Sequence, residues 1–131
     1  MAKIKNVKGR QVFDSRGNPT VEAEVFLDNN ISATAISPSG ASTGAFEAHE
    51  LRDKDKNLFL GKSVNIAVEN INNKISSKLI GLDADQQEII DKTLLDLDGS
   101  DNKTNLGANA TLAVSLANAK SSAVANNKSL F

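Results

Sequence analysis

The chain contains no cysteine, tryptophan or tyrosine, and only one histidine and one methionine. Without cysteine it can form neither a disulfide framework nor a thiolate metal site, and nothing marks its redox compartment. With a single His, zinc sites also lose their usual ligands. Aromatic residues make up 4% of the chain, so a core must be built from Val, Ile, Leu and Ala. Neither sign of charge dominates: Lys and Arg number 15 against 16 Asp and Glu, for a net charge of −1, and the two signs are mixed along the chain. No basic footprint of a nucleic-acid binder is present. No apolar run approaches the roughly 20 residues that span a bilayer. The start, Met1-Ala2-Lys3-Ile4-Lys5-Asn6, is charged but lacks the apolar segment of a secretory signal. These absences lead us to expect a soluble cytoplasmic protein with no nucleic-acid partner and no membrane span.

What is present is enough for one domain. The chain is 131 residues long and 40% hydrophobic, which suits a single core. Val21, Ala23, Val25 and Leu27 alternate with Glu22, Glu24 and Asp28, the period-two pattern of a half-buried strand, with Phe26 as the exception on the polar face. Asn29-Asn30 provides a two-residue hairpin turn, since Asn tolerates positive φ, and Ile31, Ala33 and Ala35 resume the alternation. Ile4 to Phe13 reads as a strand of irregular pattern, turned into the next by Gly17-Asn18-Pro19. The result is a three-stranded antiparallel meander.

The rest reads as helices. Val64, Val68, Ile71, Ile75 and Leu79 step by three or four along one face, ending near Gly81. Asp83-Ala84-Asp85-Gln86 has the form of a capping box for a helix with the stripe Ile90, Leu94 and Leu97, stopped by Gly99. A last helix, from about Ala108 to Asn126, carries small and apolar residues around most of its circumference and should be buried on more than one side. Strands followed by a helical bundle define an α+β fold rather than a doubly wound parallel sheet.

One stretch stands apart. Ser37-Pro38-Ser39-Gly40-Ala41-Ser42-Thr43-Gly44 is made of small and turn-forming residues, between the last strand and the helices. Glycines allow close backbone approach, and successive amides can form an anion-binding nest. Hydroxyls and carbonyls could instead ligate a hard cation such as magnesium. It is not a Walker A loop, because no Gly-Lys-Ser/Thr follows at the required spacing. Asp96, Asp98 and Asp101 around Gly99 lack EF-hand spacing and read as a helix end.

Taken together, several segments resemble enolases. Asp14-Ser15-Arg16-Gly17-Asn18-Pro19-Thr20-Val21-Glu22 is similar to the family's opening signature, and Ser39 to Gly44 to its mobile Ser-Gly-Ala-Ser-Thr-Gly segment. Glu47-Ala48 and Glu50-Leu51-Arg52-Asp53 follow, then Leu97-Asp98-Gly99-Ser100 with Asn102-Lys103. Leu106-Gly107-Ala108-Asn109-Ala110, Val114-Ser115-Leu116-Ala117 and Ala119-Lys120 complete the set in the family's order. There are departures: Lys54 and Ser63 stand where the family commonly has Gly, Thr34 for Arg, Ser37 for Val and Ser129 for Pro. His49 lies outside the pattern and reads as a surface or packing residue.

The resemblance implies that residues 1–131 form the N-terminal capping domain of an enolase, which interconverts 2-phosphoglycerate and phosphoenolpyruvate with two Mg2+ ions. The family's catalytic residues lie in a C-terminal barrel of about 250 residues, absent from this chain, so no catalytic residue is expected here and the chain alone should be inactive. By the same resemblance, Ser42 is the metal ligand, through its carbonyl and hydroxyl, when the loop closes over substrate. Ser39, Gly40, Ala41, Thr43 and Gly44 accompany it as lid residues. Arg10, Arg16 and Glu22 match positions of salt bridges, some across the interface of a homodimer or higher homo-oligomer. The alternative reading is a non-catalytic interaction or surface-binding module.

Overall fold

The structure, a computed structural model, describes residues 2–13, 17, 19–37, 64–99 and 107–126. Three strands, β1 (Ile4–Phe13), β2 (Pro19–Leu27) and β3 (Ser32–Ile36), form an antiparallel sheet in the order β1-β2-β3. The alternation in β2 is realised directly: Val21, Ala23, Val25 and Leu27 are buried on the inner face, while Glu22, Glu24 and Phe26 lie on the other. The β2–β3 turn takes three residues rather than the expected two: the Leu27 amide donates to Ile31 O at 2.8 Å across Asp28, Asn29 and Asn30, and of the two asparagines only Asn30 takes a positive φ, 67. The irregular pattern of β1 comes from a bulge: its register slips between Ile4 and Asn6, so Ile4 and Val7, of opposite parity, both point inward. Phe26 is accommodated on the outer face by Lys8, whose Nζ lies 5.6 Å from the ring centroid.

Helices cover the inner face. The helix predicted from Val64 to Leu79 is interrupted: α1 (Asn65–Glu69) passes into a π-helical stretch (Asn70–Ile75) and resumes as α2 (Ser76–Leu79). Its buried stripe is Val64, Ala67, Ile71, Ile75 and Leu79, with Val68 only partly buried. A stripe stepping by four drifts about 40° per step on an ideal α-helix. The wider π turn counters that drift and keeps Ile71, Ile75 and Leu79 aimed at β1. Fully burying one such side chain stabilises the fold by about 1.5–3 kcal/mol.

The expected capping box does not form. Helix α3 (Gln87–Asp98) has Gln86 itself at its N-cap, with no side-chain cap bond, and Asp83 instead accepts from the amide of Asp85 at 2.9 Å. Its stripe of Ile90 and Leu94, with Leu97 partly buried, is as predicted, and Gly99 ends it at φ 70. Helix α4 (Ala108–Ala125) packs against β2 and β3 on one side and against α3 on another. Its apolar girth is not wholly used, since Leu112 and Val124 remain 42% and 55% exposed.

Candidate functional site

Sequence reading points to the end of the sheet where β3 hands over to residues 38–63. The last described residue before that stretch, Ser37, is buried. Its amide donates to the Val21 carbonyl at 2.8 Å, which extends the β2–β3 ladder by one bond. Its carbonyl accepts from the Thr20 hydroxyl at 2.6 Å. Thr20 is itself 1% exposed, and a hydroxyl so placed needs a partner; Ser37 supplies it. On the far side of residues 38–63 the chain re-enters at Val64, whose amide donates to Gln11 Oε1 at 3.0 Å. Gln11 and Val21 are direct cross-strand partners.

The outer face of the same sheet carries an ion cluster. Arg10 sits opposite Glu22, and its Nη1 meets Glu22 Oε1 at 2.5 Å while Nη2 meets Glu24 Oε1 at 2.8 Å. Residues two apart on a strand share a face, so Glu24 lies diagonally within reach of a long side chain. Hydrogen bonding to Glu24, then to Glu22, raises the Arg10 pKa, leaving the guanidinium a fixed positive charge. Sequence reasoning singled out Arg10 and Glu22 but missed Glu24; the alternation that placed Glu22 outward was the signal for it.

Polar groups also bind α3 to α4. Gln87 Nε2 donates to Asp91 at 3.0 Å and to the Ser115 hydroxyl at 3.1 Å, and that hydroxyl donates to Asp91 at 2.6 Å. Asn118 Nδ2 donates to Gln87 Oε1 at 2.8 Å and to the Ala84 carbonyl at 3.0 Å. A shallow polar depression is lined by Ala2, Asp28, Asn29, Asp85, Ala125 and Asn126. In it Asp85 Oδ1 is engaged by Ser122 and Asn126, and Asp28 Oδ1 by the Lys3 amide. Among the described residues no three His, Cys, Asp or Glu side chains gather so as to hold a metal ion.

Of the predicted site residues, Arg10 and Glu22 are therefore brought together. Ser39, Gly40, Ala41, Ser42, Thr43, Gly44 and Arg16 lie outside the described residues, as do Glu47, His49 and Asp101. Nothing in the sequence paired Gln11 with Val64 or Thr20 with Ser37, because both contacts are made across the sheet.

The sequence profile of the enolase N-terminal domain matches residues 4–131. The chain belongs to the enolase N-terminal domain family. It is 59% identical over 131 residues to a protein named enolase from Corynebacterium kroppenstedtii. All of this chain is covered in that comparison, and it spans 30% of that relative's length. The meander followed by helices is the fold of enolase N-terminal domains. Among the described residues no helix is long and apolar enough to cross a membrane.

Proposed function

We propose that this domain is the N-terminal capping part of an enolase, a magnesium-dependent lyase that reversibly dehydrates 2-phosphoglycerate to phosphoenolpyruvate. The observation that carries the reading is the family match over residues 4–131, with the Ser39–Gly44 motif inside it. In the reaction a proton leaves the carbon beside the carboxylate, the neighbouring hydroxyl departs, and a carbon–carbon double bond remains. Magnesium, when bound, stabilises negative charge building on the substrate carboxylate. Ser42 would offer its carbonyl and hydroxyl to that ion, with Ser39, Gly40, Ala41, Thr43 and Gly44 as the lid residues that accompany it.

Two oxygens are far short of the six that magnesium takes. The described residues add no cluster of acidic or His ligands. By the family resemblance, the remaining ligands and the acid–base groups belong to a barrel of about 250 residues beyond this domain. A cytoplasmic location and assembly into a homodimer or larger homo-oligomer go with this reading. Arg10 and Glu22, on the outer sheet face, are the described candidates for a subunit contact, with Arg16 beside them in sequence.

A coupled assay for phosphoenolpyruvate, run on this 131-residue chain and on the longer polypeptide, tests the proposal. Activity in the longer polypeptide alone is expected. An inactive full-length protein would favour a binding module instead, and turnover by the purified 131-residue chain would place the chemistry within it.

A further inference from the structure

We infer that the free edge of β3 is an interaction surface whose occupant is β3 of a second copy of this chain, paired antiparallel about Thr34 so that the two sheets become one. This contact is separate from the outer sheet face that carries Arg10 and Glu22.

The two edges of the sheet are finished differently. Ser37 donates to the carbonyl of Val21, and Leu27 donates to Ile31 O. Hydrogen-bonded pairs alternate along an antiparallel ladder, so Ile31, Ala33, Ala35 and Ser37 turn their backbone groups toward β2. Ser32, Thr34 and Ile36 turn theirs outward. Among the described residues nothing bonds to those outward groups, and all three residues are exposed. On the opposite edge, β1 is engaged at Ile4, Val7 and Gly9. Ile4 pairs with Gly81 and Leu82, the Val7 amide donates to Asn6 Oδ1 at 2.9 Å, and Gly9 is met by the Asn72 side chain.

Alternating N–H and C=O groups along an exposed strand are matched by another extended backbone. The strand itself, Ser32-Ala33-Thr34-Ala35-Ile36, has no charged side chain and no proline, the residues that ordinarily keep edges apart. A copy of β3 meets the same requirements. It is already extended, so pairing avoids the cost of ordering a segment. One register joins all three outward residues: Thr34 faces its own copy, flanked on each side by Ser32 facing Ile36. Two threonines form a favourable cross-strand pair. Charge does not oppose the arrangement. Glu22 and Glu24 lie on β2, held by Arg10. The two copies of Glu24 would stand three strand spacings apart, about 14 Å, beyond the screening length of about 8 Å at physiological salt.

The test uses the 131-residue chain, which holds no cysteine, so Thr34→Cys introduces a single thiol. Opposed residues of a hydrogen-bonded pair lie about 5.5 Å apart at Cα, within disulfide range. Under mild oxidation Thr34→Cys should cross-link about tenfold faster or more than Lys92→Cys, an exposed position on α3. Mixed Ser32→Cys and Ile36→Cys chains should form the heterodimer in preference to either homodimer. By sedimentation equilibrium the wild type should associate reversibly above its 13.9 kDa monomer. Thr34→Lys sets like charges face to face and should weaken that association about tenfold or more. Thr34→Pro removes one outward amide at an edge, where proline is tolerated, and should act in the same direction. Circular dichroism and Tm establish that each variant is folded; should Thr34→Pro not fold, Thr34→Lys decides. A chain that stays monomeric, with Thr34→Cys cross-linking no faster than Lys92→Cys, overturns the inference. So does a dimer that Thr34→Lys leaves intact, which would put the contact on another face. Protection of the Thr34 amide from exchange only in the longer polypeptide would give the edge to a segment of that polypeptide and overturn the pairing as well. No readout depends on catalysis, so an inactive full-length protein overturns the proposed function and leaves this inference standing.

Discussion

The side chain of Asn72 closes both backbone groups of Gly9: Oδ1 accepts from the amide at 2.9 Å, and Nδ2 donates to the carbonyl at 3.1 Å. Gly9 lies in β1, an edge strand of the sheet, and Asn72 in the π-helical stretch that packs beneath it. The carboxamide therefore substitutes for a neighbouring strand at this point, and the absence of a side chain on Gly9 lets the helix come close enough to offer it.

A Cβ at position 9 would lie 2.9 Å from both Cβ and Cδ1 of Ile71. Gly9→Ala is thus an overpacking change and should destabilise the domain by about 1–3 kcal/mol. Asn72→Ala loses two hydrogen bonds at an exposed site and should cost about 1 kcal/mol. Urea unfolding of the single and double variants provides the check. The double variant should fall short of the sum, because a helix displaced by the new methyl has already lost its bonds to Gly9. Strict additivity would show that the two contacts are independent.

Arg10→Ala leaves Glu22 and Glu24 side by side on one face without their shared cation. The side chains are 42%, 18% and 20% exposed for Arg10, Glu22 and Glu24, so solvent screening keeps the loss to about 1 kcal/mol. The difference should shrink in 1 M NaCl. A raised base pKa confers stability that is present below the unfolded pKa and lost only as pH rises through the folded value. For Arg10 that window lies in strong alkali, so its contribution should be flat between about pH 6 and 9. A difference insensitive to salt would assign the effect to packing of the Arg10 stem.

Asn118 is fully buried, and its Nδ2 serves two acceptors, Ala84 O and Gln87 Oε1, while its Oδ1 makes no hydrogen bond. Asn118→Asp would place a carboxylate against those acceptors and should destabilise the domain by about 3 kcal/mol or more at neutral pH. Burial pushes such a carboxyl pKa upward. With the folded pKa above the unfolded value of about 3.9, the proton favours the folded state. The variant's deficit should therefore be smallest below about pH 4 and grow as pH rises through the folded pKa. Thermal melts across this range would expose the trend, and a deficit independent of pH would contradict it.

Local patterns in the sequence carried most of the fold. The alternation of Val21 to Leu27 depends on neighbours along the chain and is as read, whereas the turn falls where Asn29-Asn30 placed it but takes in Asp28 as well. The irregular spacing of Ile4 and Val7 marked a bulge that pattern alone could not distinguish from a poor strand. The π-helical stretch was hidden because Ile71, Ile75 and Leu79 fit an α-helical stripe tolerably well. The contacts that matter most to the candidate site were not legible at all. Gln11 with Val64 and Thr20 with Ser37 join residues far apart in sequence, and neither pairing leaves a local trace. Enolase likeness, by contrast, was carried by short motifs in a fixed order, which is why the family was readable while the contacts of Ser37 and Val64 were not.

The cover over β1 is assembled from far along the chain. Beyond Asn72, which lies 63 residues after Gly9, the amide of Gly81 donates to the Ile4 carbonyl, the Ile4 amide donates to Leu82 O, and Ala84 donates to Ala2 O. The β1–β2 hairpin, closed by Leu27, is therefore synthesised well before the residues that shield the free edge of β1. During translation β1 has an open flank until residue 84 has emerged, so the order of synthesis sets a period in which the nascent chain depends on its surroundings to keep other strands away.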